Sequence, residues 1–492
     1  MIEFRTRPMI LLAAGSIFAG GCGDPLPAGQ SSPNILLIVA DDLGWADLGC
    51  YGADLHETPH LDKLAGEGIL FTNAYAAAPV CSPTRASILT GKYPARLNFT
   101  IWSEAASPAE RKNQEQYRFL PPATIENLPL SEVTIAELLK ERGYLTAHIG
   151  KWHVGNLQHF PETQGFDVSF AASQRGAPPT FFYPYRGPGF GEYRFVLDMG
   201  RDGQGNYFTN REGEYLTDRL TDEAMKMMDD AGNRPFFMSL NYYNPHTPIE
   251  AKPEDVAYFK AKVTPEMHHQ NEIYAAMIQS LDDNVGRLLA KLEELKIAPH
   301  TIVIFISDNG GYINENRGRV VTSNHPLRSG KGSLYEGGIR IPMIVRIPGD
   351  SHGRIVHTPV STIDFLPSFL DLLDLPVPDS IDGLSIRPLL QGNISTELED
   401  RPLFWHYPHY YPTTTPVSAV RLGSWKLMEY LGYDTIELYH LEPDPGESVN
   451  LASERKEMAD SLLTLLRNWK TETGARGVIP NPAYSGVDTM SW

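Results

Sequence analysis

The chain has 492 residues, of which 42% are hydrophobic and 21% charged. That is a globular composition with more material than one ordinary domain needs. The formal net charge of −18 excludes nucleic acid as the natural partner, because phosphate backbones are bound by a basic field, and it requires any anionic substrate to be held by a local cluster of cations.

Arg5 and Arg7 precede an apolar run from Met9 to Gly20, which is short for a bilayer span. The run closes on Ala19-Gly20-Gly21 before Cys22, the layout of a secretory signal over residues 1–22. Small residues before a cysteine also resemble a bacterial lipobox, although Ala19 stands where such boxes usually carry Leu. Two readings stay open. Either Cys22 carries a lipid that attaches the chain to a membrane, or an ordinary signal is cleaved and Cys22 is discarded or idle. Both predict an exported chain, periplasmic, anchored at the outer membrane or extracellular in a bacterium. Residues 23–33, rich in Gly, Pro and Ser, predict a flexible tether.

The next segment, Asn34 to Ala40, is apolar without interruption, as expected of a buried parallel strand, and it ends on Asp41-Asp42. The pattern repeats at Thr301 to Ile306, followed by Ser307-Asp308-Asn309-Gly310-Gly311. Weaker strands are predicted at Leu145 to Ile149, Phe236 to Asn241 and Ile341 to Ile347, with helices at Thr134 to Arg142 and Glu272 to Leu295. Strands alternating with helices imply an α/β domain around a mostly parallel sheet, here over residues 34–395. Ligands of such sheets gather at the carboxyl ends of the strands, where these acids stand. Residues 99–125 and 173–213 read as loops rimming a substrate site. After residue 395 come short strands, Pro402 to His406, Ser418 to Arg421, Trp425 to Tyr430 and Glu437 to His440, then a helix from Glu454 to Thr471. This predicts a smaller C-terminal α+β domain with an antiparallel sheet over residues 396–492.

The cysteines are Cys22, Cys50 and Cys81. In an oxidising compartment Cys50 and Cys81 could pair; alternatively Cys50 is a small buried residue and Cys81 has another role. The segment Cys81-Ser82-Pro83-Thr84-Arg85-Ala86-Ser87-Ile88-Leu89-Thr90-Gly91-Lys92 favours the second reading. It resembles the signature of the formylglycine-dependent type I sulfatases, Cys-x-Pro-x-Arg followed by Leu-Thr-Gly and a base, with Thr84 where Ser is common. Residues after Pro83 read as a helix start, whose amides favour an anion. The resemblance spans residues 33–450, and the stretches Gly383 to Leu390 and Glu437 to Glu447 look like that family's closing segments.

The resemblance implies an alkaline-phosphatase-like sandwich: a large mixed, mostly parallel sheet flanked by helices, plus the smaller antiparallel domain. It implies that a maturation enzyme oxidises Cys81 to formylglycine, whose hydrate offers one hydroxyl to attack sulfur and a second to expel sulfate. Asp41, Asp42, Asp308 and Asn309 are hard oxygen donors suited to Ca²⁺ or Mg²⁺ and poorly suited to Zn²⁺. An Asp-Asp pair after a strand is also a common turn or cap. The resemblance assigns these four, with the oxygen at position 81, to one divalent ion, calcium ahead of magnesium. Cations and histidines follow other strands: Lys151 and His153 in Gly150-Lys151-Trp152-His153, His246 in Asn244-Pro245-His246-Thr247-Pro248, and Lys331 in a Gly-rich loop before Tyr335. By resemblance, Arg85 and Lys151 hold and neutralise the formylglycine, and His153 takes a proton during sulfate release. His246 and Lys331 then bind the sulfate and stabilise the departing oxygen. His325 and Arg328 either touch the substrate or brace the Lys331 loop. Trp45, Trp102, Trp152 and Trp405 are sugar platforms or core.

The function expected is therefore removal of O-sulfate, by a sulfuric ester hydrolase, from a sulfated carbohydrate. One rival is a phosphate or phosphonate ester hydrolase of the same superfamily, separable by comparing matched sulfate and phosphate esters. The other is a non-catalytic glycan-binding lipoprotein, which would be indifferent to loss of Cys81.

Overall fold

A computed structural model describes residues 32–107, 116–186, 212–349, 352–484 and 486. The expected signal, Cys22 and most of the tether lie outside the described residues, as do parts of both rim loops. Asn34–Ala40 forms β1, buried at every position. Leu36 and Ile38 enter one core, Ile35, Leu37 and Val39 another. A strand with a core on each face has no polar side, which explains its unbroken apolar run.

Among the described residues the main sheet has nine strands: β1, β2 (Ile69–Tyr75), β3 (Leu145–Gly150), β4 (Val168–Phe170), β5 (Phe236–Asn241), β6 (Thr301–Ser307), β7 (Arg340–Arg346), β8 (Arg354–Val356) and β9 (Val360–Ser361). Their order is β8–β2–β7–β6–β1–β5–β3–β4, with β9 also on β2. Within it β7 runs antiparallel to both β2 and β6, and the other pairs are parallel. The expected mixed, mostly parallel sheet is present. Flanking helices include α1 (Cys81–Thr90), α2 (Leu216–Ala231), α3 (Glu272–Glu294) and α4 (Phe365–Leu372). Helices α2 and α3 feed the core that holds Leu36, whereas α1 and α4 feed the one that holds Leu37.

A separate four-stranded antiparallel sheet comprises β10 (Leu403–Tyr407), β11 (Val417–Leu422), β12 (Trp425–Tyr430) and β13 (Thr435–His440), followed by α5 (Lys456–Thr473). Its side chains alternate between two cores. Phe404, Val420, Leu427 and Leu438 pack on Leu462, Leu466 and Trp469 of α5. Trp405, Ala419, Met428 and Tyr439 pack on Tyr75, Leu334 and Ile339 of the main body. The antiparallel layer is thereby sealed against the segment carrying Lys331. Among the described residues no helix is long and apolar enough to cross a membrane.

Candidate active site

Register brings four strand ends level. Ala40 of β1 pairs with Ser307 of β6, Val39 with Asn241 of β5, and Gly150 of β3 with the same Asn241. Gly150 has φ of 94°, and a Cβ there would lie 1.9 Å from the Asn241 carbonyl oxygen, so β3 can turn here only as glycine. The residues after these ends, Asp41, Asp42, Asp308, Asn309 and Lys151, are all buried and adjoining. Asp42 itself has φ of 63°, an uncommon backbone state that clusters at functional sites. Its N–H donates to Asp308 Oδ1 at 3.2 Å.

Helix α1 starts at Cys81, three residues before the start expected after Pro83, because proline needs no N–H in the first helical turn. Cys81 therefore occupies the first turn, with Sγ 3.7 Å from Asp41 Oδ1. It is buried and forms no disulfide, and neither does Cys50. The pairing of these two cysteines is thus absent, and burial raises the Cys81 thiol to about 12. Arg85, one turn along the helix, points to the same edge. Its Nε and Nη2 reach Asp308 Oδ2 at 2.9 and 2.8 Å, and Nη1 donates to the Lys151 carbonyl and Asn241 Oδ1. Arg85 thus clasps three strand ends.

The carboxylates are matched by cations. Lys151 Nζ lies 2.8 and 2.7 Å from the two Asp41 oxygens. Lys331 Nζ lies 2.6 and 2.8 Å from those of Asp42. Burial, with Asp308 and Asp42 nearby, raises the Asp41 carboxyl to about 7 despite Lys151. Burial also pushes Asp42 upward, but Lys331, His246 and Lys151 reverse this and hold it below the usual carboxylate range. For Lys331 burial opposes the charge, yet Asp42 raises its pKa well above the ordinary value.

This donor set fits a hard divalent cation. The buried Asn309 Oδ1 has no hydrogen-bond partner, while its Nδ2 donates to Asp42 Oδ1 at 2.9 Å and fixes the amide. A crowded carboxyl that retains a proton near neutral pH, as Asp41 does, is one that a cation would return to the ionised form. Asp41, Asp42, Cys81 and His246 each offer a ligand atom within 4.8 Å of one another.

A cavity of about 200 Å³ opens above, walled by Cys81, Trp102, Glu104, His153, His246, Lys331 and Tyr411 among others. His246 Nδ1 lies 2.8 Å from the Thr247 carbonyl, which can only accept, so Nδ1 carries the proton. Burial, with Lys331 and Lys151 beside it, lowers this ring to about 3 against the pull of Asp42. His153 Nε2 is 2.5 Å from Glu104 Oε2, and its buried Nδ1 has no hydrogen-bond partner. Burial would raise Glu104, but His153 and the Gly176 N–H hold it at about 2. Gly176 is required here: a Cβ would stand 2.3 Å from His153 Cε1.

Cys81, Arg85, Lys151, His153, His246, Lys331, Asp41, Asp42, Asp308 and Asn309 thus gather at one edge of the sheet. His325 and Arg328 do not reach the cavity wall. Arg328 donates to the Glu447 carbonyl at 2.8 Å and covers the Tyr335 ring at 4.0 Å, so it braces the loop. His325 is exposed and stacks on His268 at 3.7 Å. Trp152 and Trp405 are core, Trp45 lies under Arg340, and Trp102 alone of the four faces the cavity. Glu104, Asn241 and Tyr411 were missed by the sequence reading. Tyr411 comes from the antiparallel layer and meets Trp102 edge-on at 5.7 Å.

The chain is similar to known proteins over most of its length. The family model described as Sulfatase matches residues 33–375, and that of the N-sulphoglucosamine sulphohydrolase C-terminal region matches residues 329–472. N-acetylgalactosamine-6-sulfatase of Canis lupus familiaris is 33% identical over 484 residues, covering 96% of this chain and 84% of its own. Steryl-sulfatase of Mus musculus is 34% identical over 478 residues, covering 83% and 73%. The solved structure of Ps i-CgsB in complex with k-i-k-neocarrahexaose superposes with a TM-score of 0.74 at 29% identity, covering 90% of this chain and 94% of that one.

Proposed function

The chain belongs to the sulfatase family, as a type I sulfatase of the alkaline phosphatase superfamily and a sulfuric ester hydrolase, and from that premise we propose that it removes O-sulfate from carbohydrates using formylglycine made from Cys81. The observation that carries this reading is Cys81 at a helix start, 3.7 Å from Asp41 and unpaired, facing a cavity it shares with Lys331, His246 and His153. Hydrated formylglycine supplies a geminal diol, one hydroxyl for attack on sulfur and another whose deprotonation releases sulfate. Asp41, Asp42, Asp308 and Asn309 would hold calcium, which when bound would polarise sulfate oxygens and lower the pKa of the attacking hydroxyl.

The chain's own residues do the rest. Arg85 binds Asp308, Asn241 and the Lys151 carbonyl, so it orients the metal-side carboxylate. Lys151, bound to Asp41, neutralises the nucleophile's surroundings. His153 presents an unprotonated Nδ1, because Nε2–H is committed to Glu104, and so accepts a proton. Negative charge builds on the departing oxygen in a loose sulfuryl-transfer transition state, and a positioned donor acts there more than in the ground state. Lys331, protonated, is that donor; His246, whose Nδ1 holds its proton, donates from Nε2 only as imidazolium.

A sulfated sugar is favoured over a sterol by relatives named for N-acetylgalactosamine 6-sulfate or bound to neocarrahexaose. Export, with or without lipid on Cys22, and dependence on a maturation enzyme belong to the same proposal, as does a division at residue 395 between catalytic and C-terminal domains. The test is mass spectrometry of the peptide containing residue 81, with kinetics of matched sulfate and phosphate esters. An aldehyde in place of the thiol, a sulfate preference and loss of turnover in Cys81→Ala are expected. A phosphate preference, or full turnover in Cys81→Ala, would overturn the reading.

A further inference from the structure

We propose that a second cavity, sharing the Glu104 wall with the catalytic one, is a subsite for an uncharged sugar ring next to the ring that bears the ester; this rests on the sulfated-carbohydrate reading above. The catalytic cavity, at about 200 Å³, is filled by the ester and part of its own ring, so a longer substrate has to continue beyond it. The second cavity holds about 390 Å³, within the range of roughly 300–1,000 Å³ usual for small-molecule sites.

Its walls are built for hydroxyl groups. Asn127, Asn156 and Gln174 line it together with Glu104, Glu126 and Arg175. Asn127 Oδ1 accepts from the Asn156 N–H at 2.7 Å. Asn156 Oδ1 accepts from the Gln158 N–H at 3.2 Å and lies 3.0 Å from His159 Nδ1. These bonds use the amide oxygens and fix both side chains. Among the described residues the two Nδ2 groups, the Gln174 amide and the Glu126 carboxylate have no hydrogen-bond partner within the chain. Amides beside a carboxylate supply donors and acceptors together, which is what vicinal hydroxyls need. The charges select further: among the described residues the lining holds two carboxylates, Glu104 and Glu126, and one guanidinium, Arg175. A ring bearing a carboxylate or a second sulfate is disfavoured there. Glu104 also grips His153 at 2.5 Å, so a ring seated on that wall touches the residue that positions the base.

The experiment compares kcat/KM on a panel of 4-O- and 6-O-sulfated galactose, N-acetylgalactosamine and N-acetylglucosamine. The best of these is then assayed as disaccharides, linked on either side to galactose or to glucuronate. The galactose-linked substrate should exceed the monosaccharide by about tenfold, and the glucuronate-linked one should not. Gln174→Ala should cut the disaccharide-to-monosaccharide ratio by about fivefold, the loss of one hydrogen bond. Glu126→Gln, on a partly exposed side chain, should raise the relative rate on the glucuronate-linked substrate. A wild-type ratio near one, or a ratio unmoved by both substitutions, overturns the subsite while leaving the sulfatase reading intact. Absence of hydrolysis across the sulfated panel overturns the sulfated-sugar reading and the subsite with it.

Discussion

Glu104 Oε2 lies 2.5 Å from His153 Nε2 and leaves the buried Nδ1 of that ring without a hydrogen-bond partner. A carboxylate can only accept, so it fixes the proton on Nε2 and the basic lone pair on Nδ1. Burial lowers the His153 pKa and Glu104 raises it, with burial prevailing. Glu104→Gln removes the raising influence and the fixed tautomer. Turnover should fall on the order of 10²-fold, and the acid limb of the pH–kcat profile should move to lower pH, because the base then holds its proton less tightly. A profile shifted the other way, or unshifted with unchanged kcat, would remove His153 from the role of base.

What could be read in advance follows from where the signals sit. Asp41, Asp42 and Asp308 were legible because an apolar run that stops abruptly on acids marks a buried strand end. Cys81, Lys151, His246 and Lys331 were legible through motifs. Glu104 was not: it stands on the short helix Ser103–Ala106, 49 residues from His153, and their meeting depends on tertiary approach and on the absence of a side chain at Gly176. Tyr411 reaches the cavity from a different sheet, and no local pattern marks a loop residue for that. The short strands β4, β8 and β9 escaped notice because two or three residues carry no period.

The partnerless Asn309 Oδ1 and the raised Asp41 carboxyl make a prediction about metal. Calcium at a hundred times its Kd should stabilise the protein by about 2.7 kcal/mol, seen as a higher Tm that chelation reverses. Magnesium, which demands a tighter octahedral shell, should give less. Because Asp41 retains a proton up to about pH 7, the shift should shrink as pH falls through that value. Asn309→Ala should diminish the calcium-dependent part of the Tm. Equal Tm with calcium and with chelator, in wild type and variant alike, would leave the carboxylates without a metal.

Behind the edge that carries Asp41 and Asp42, His269 sets a pH window for stability. Its Nδ1 is 2.6 Å from Asp54 Oδ1 and its Nε2 is 3.3 Å from Asp47 Oδ1. Asp47 also accepts from the Gly44 N–H and from the hydroxyls of Thr322 and Tyr274, so it ties down the loop after Asp42. Burial opposes charge on His269, yet the two aspartates raise it to about 9, while burial lowers neighbouring His56 to about 4. A raised histidine adds stability that is complete below its free value of 6.5 and is lost as pH rises through 9. His269→Gln should therefore lower stability, read as Tm, most at pH 6 and least above pH 9, the loss at the acid end being about 1–3 kcal/mol of unfolding free energy. A Tm difference independent of pH would show the ring to be neutral.

The last prediction concerns the join between the layers. Lys426 Nζ of β12 lies 3.0 Å from Glu336 Oε1 and 2.8 Å from Glu447 Oε1, with all three side chains fully buried. Glu336 also accepts from the Tyr75 hydroxyl, and its N–H donates to Glu447 Oε2, so this cluster anchors the segment that follows Lys331. Burial pushes both acids up. Lys426, Arg421 and Arg340 bring Glu336 to about 2, whereas Glu447, facing Glu336, stays at about 7. Replacing one partner of a buried pair costs about 3–5 kcal/mol, because the remaining charge is left unmatched. Lys426→Met should cost that much where Glu447 has to ionise and less where it can keep its proton. The Tm loss should therefore be present already near pH 5, where ionised Glu336 loses Lys426, and grow further through pH 7 as Glu447 ionises, the reverse of the His269 trend. Lys426→Arg, which keeps the charge, should recover part of the loss. Equal losses at pH 5 and pH 8 would mean that packing, not charge, joins the two layers at this point.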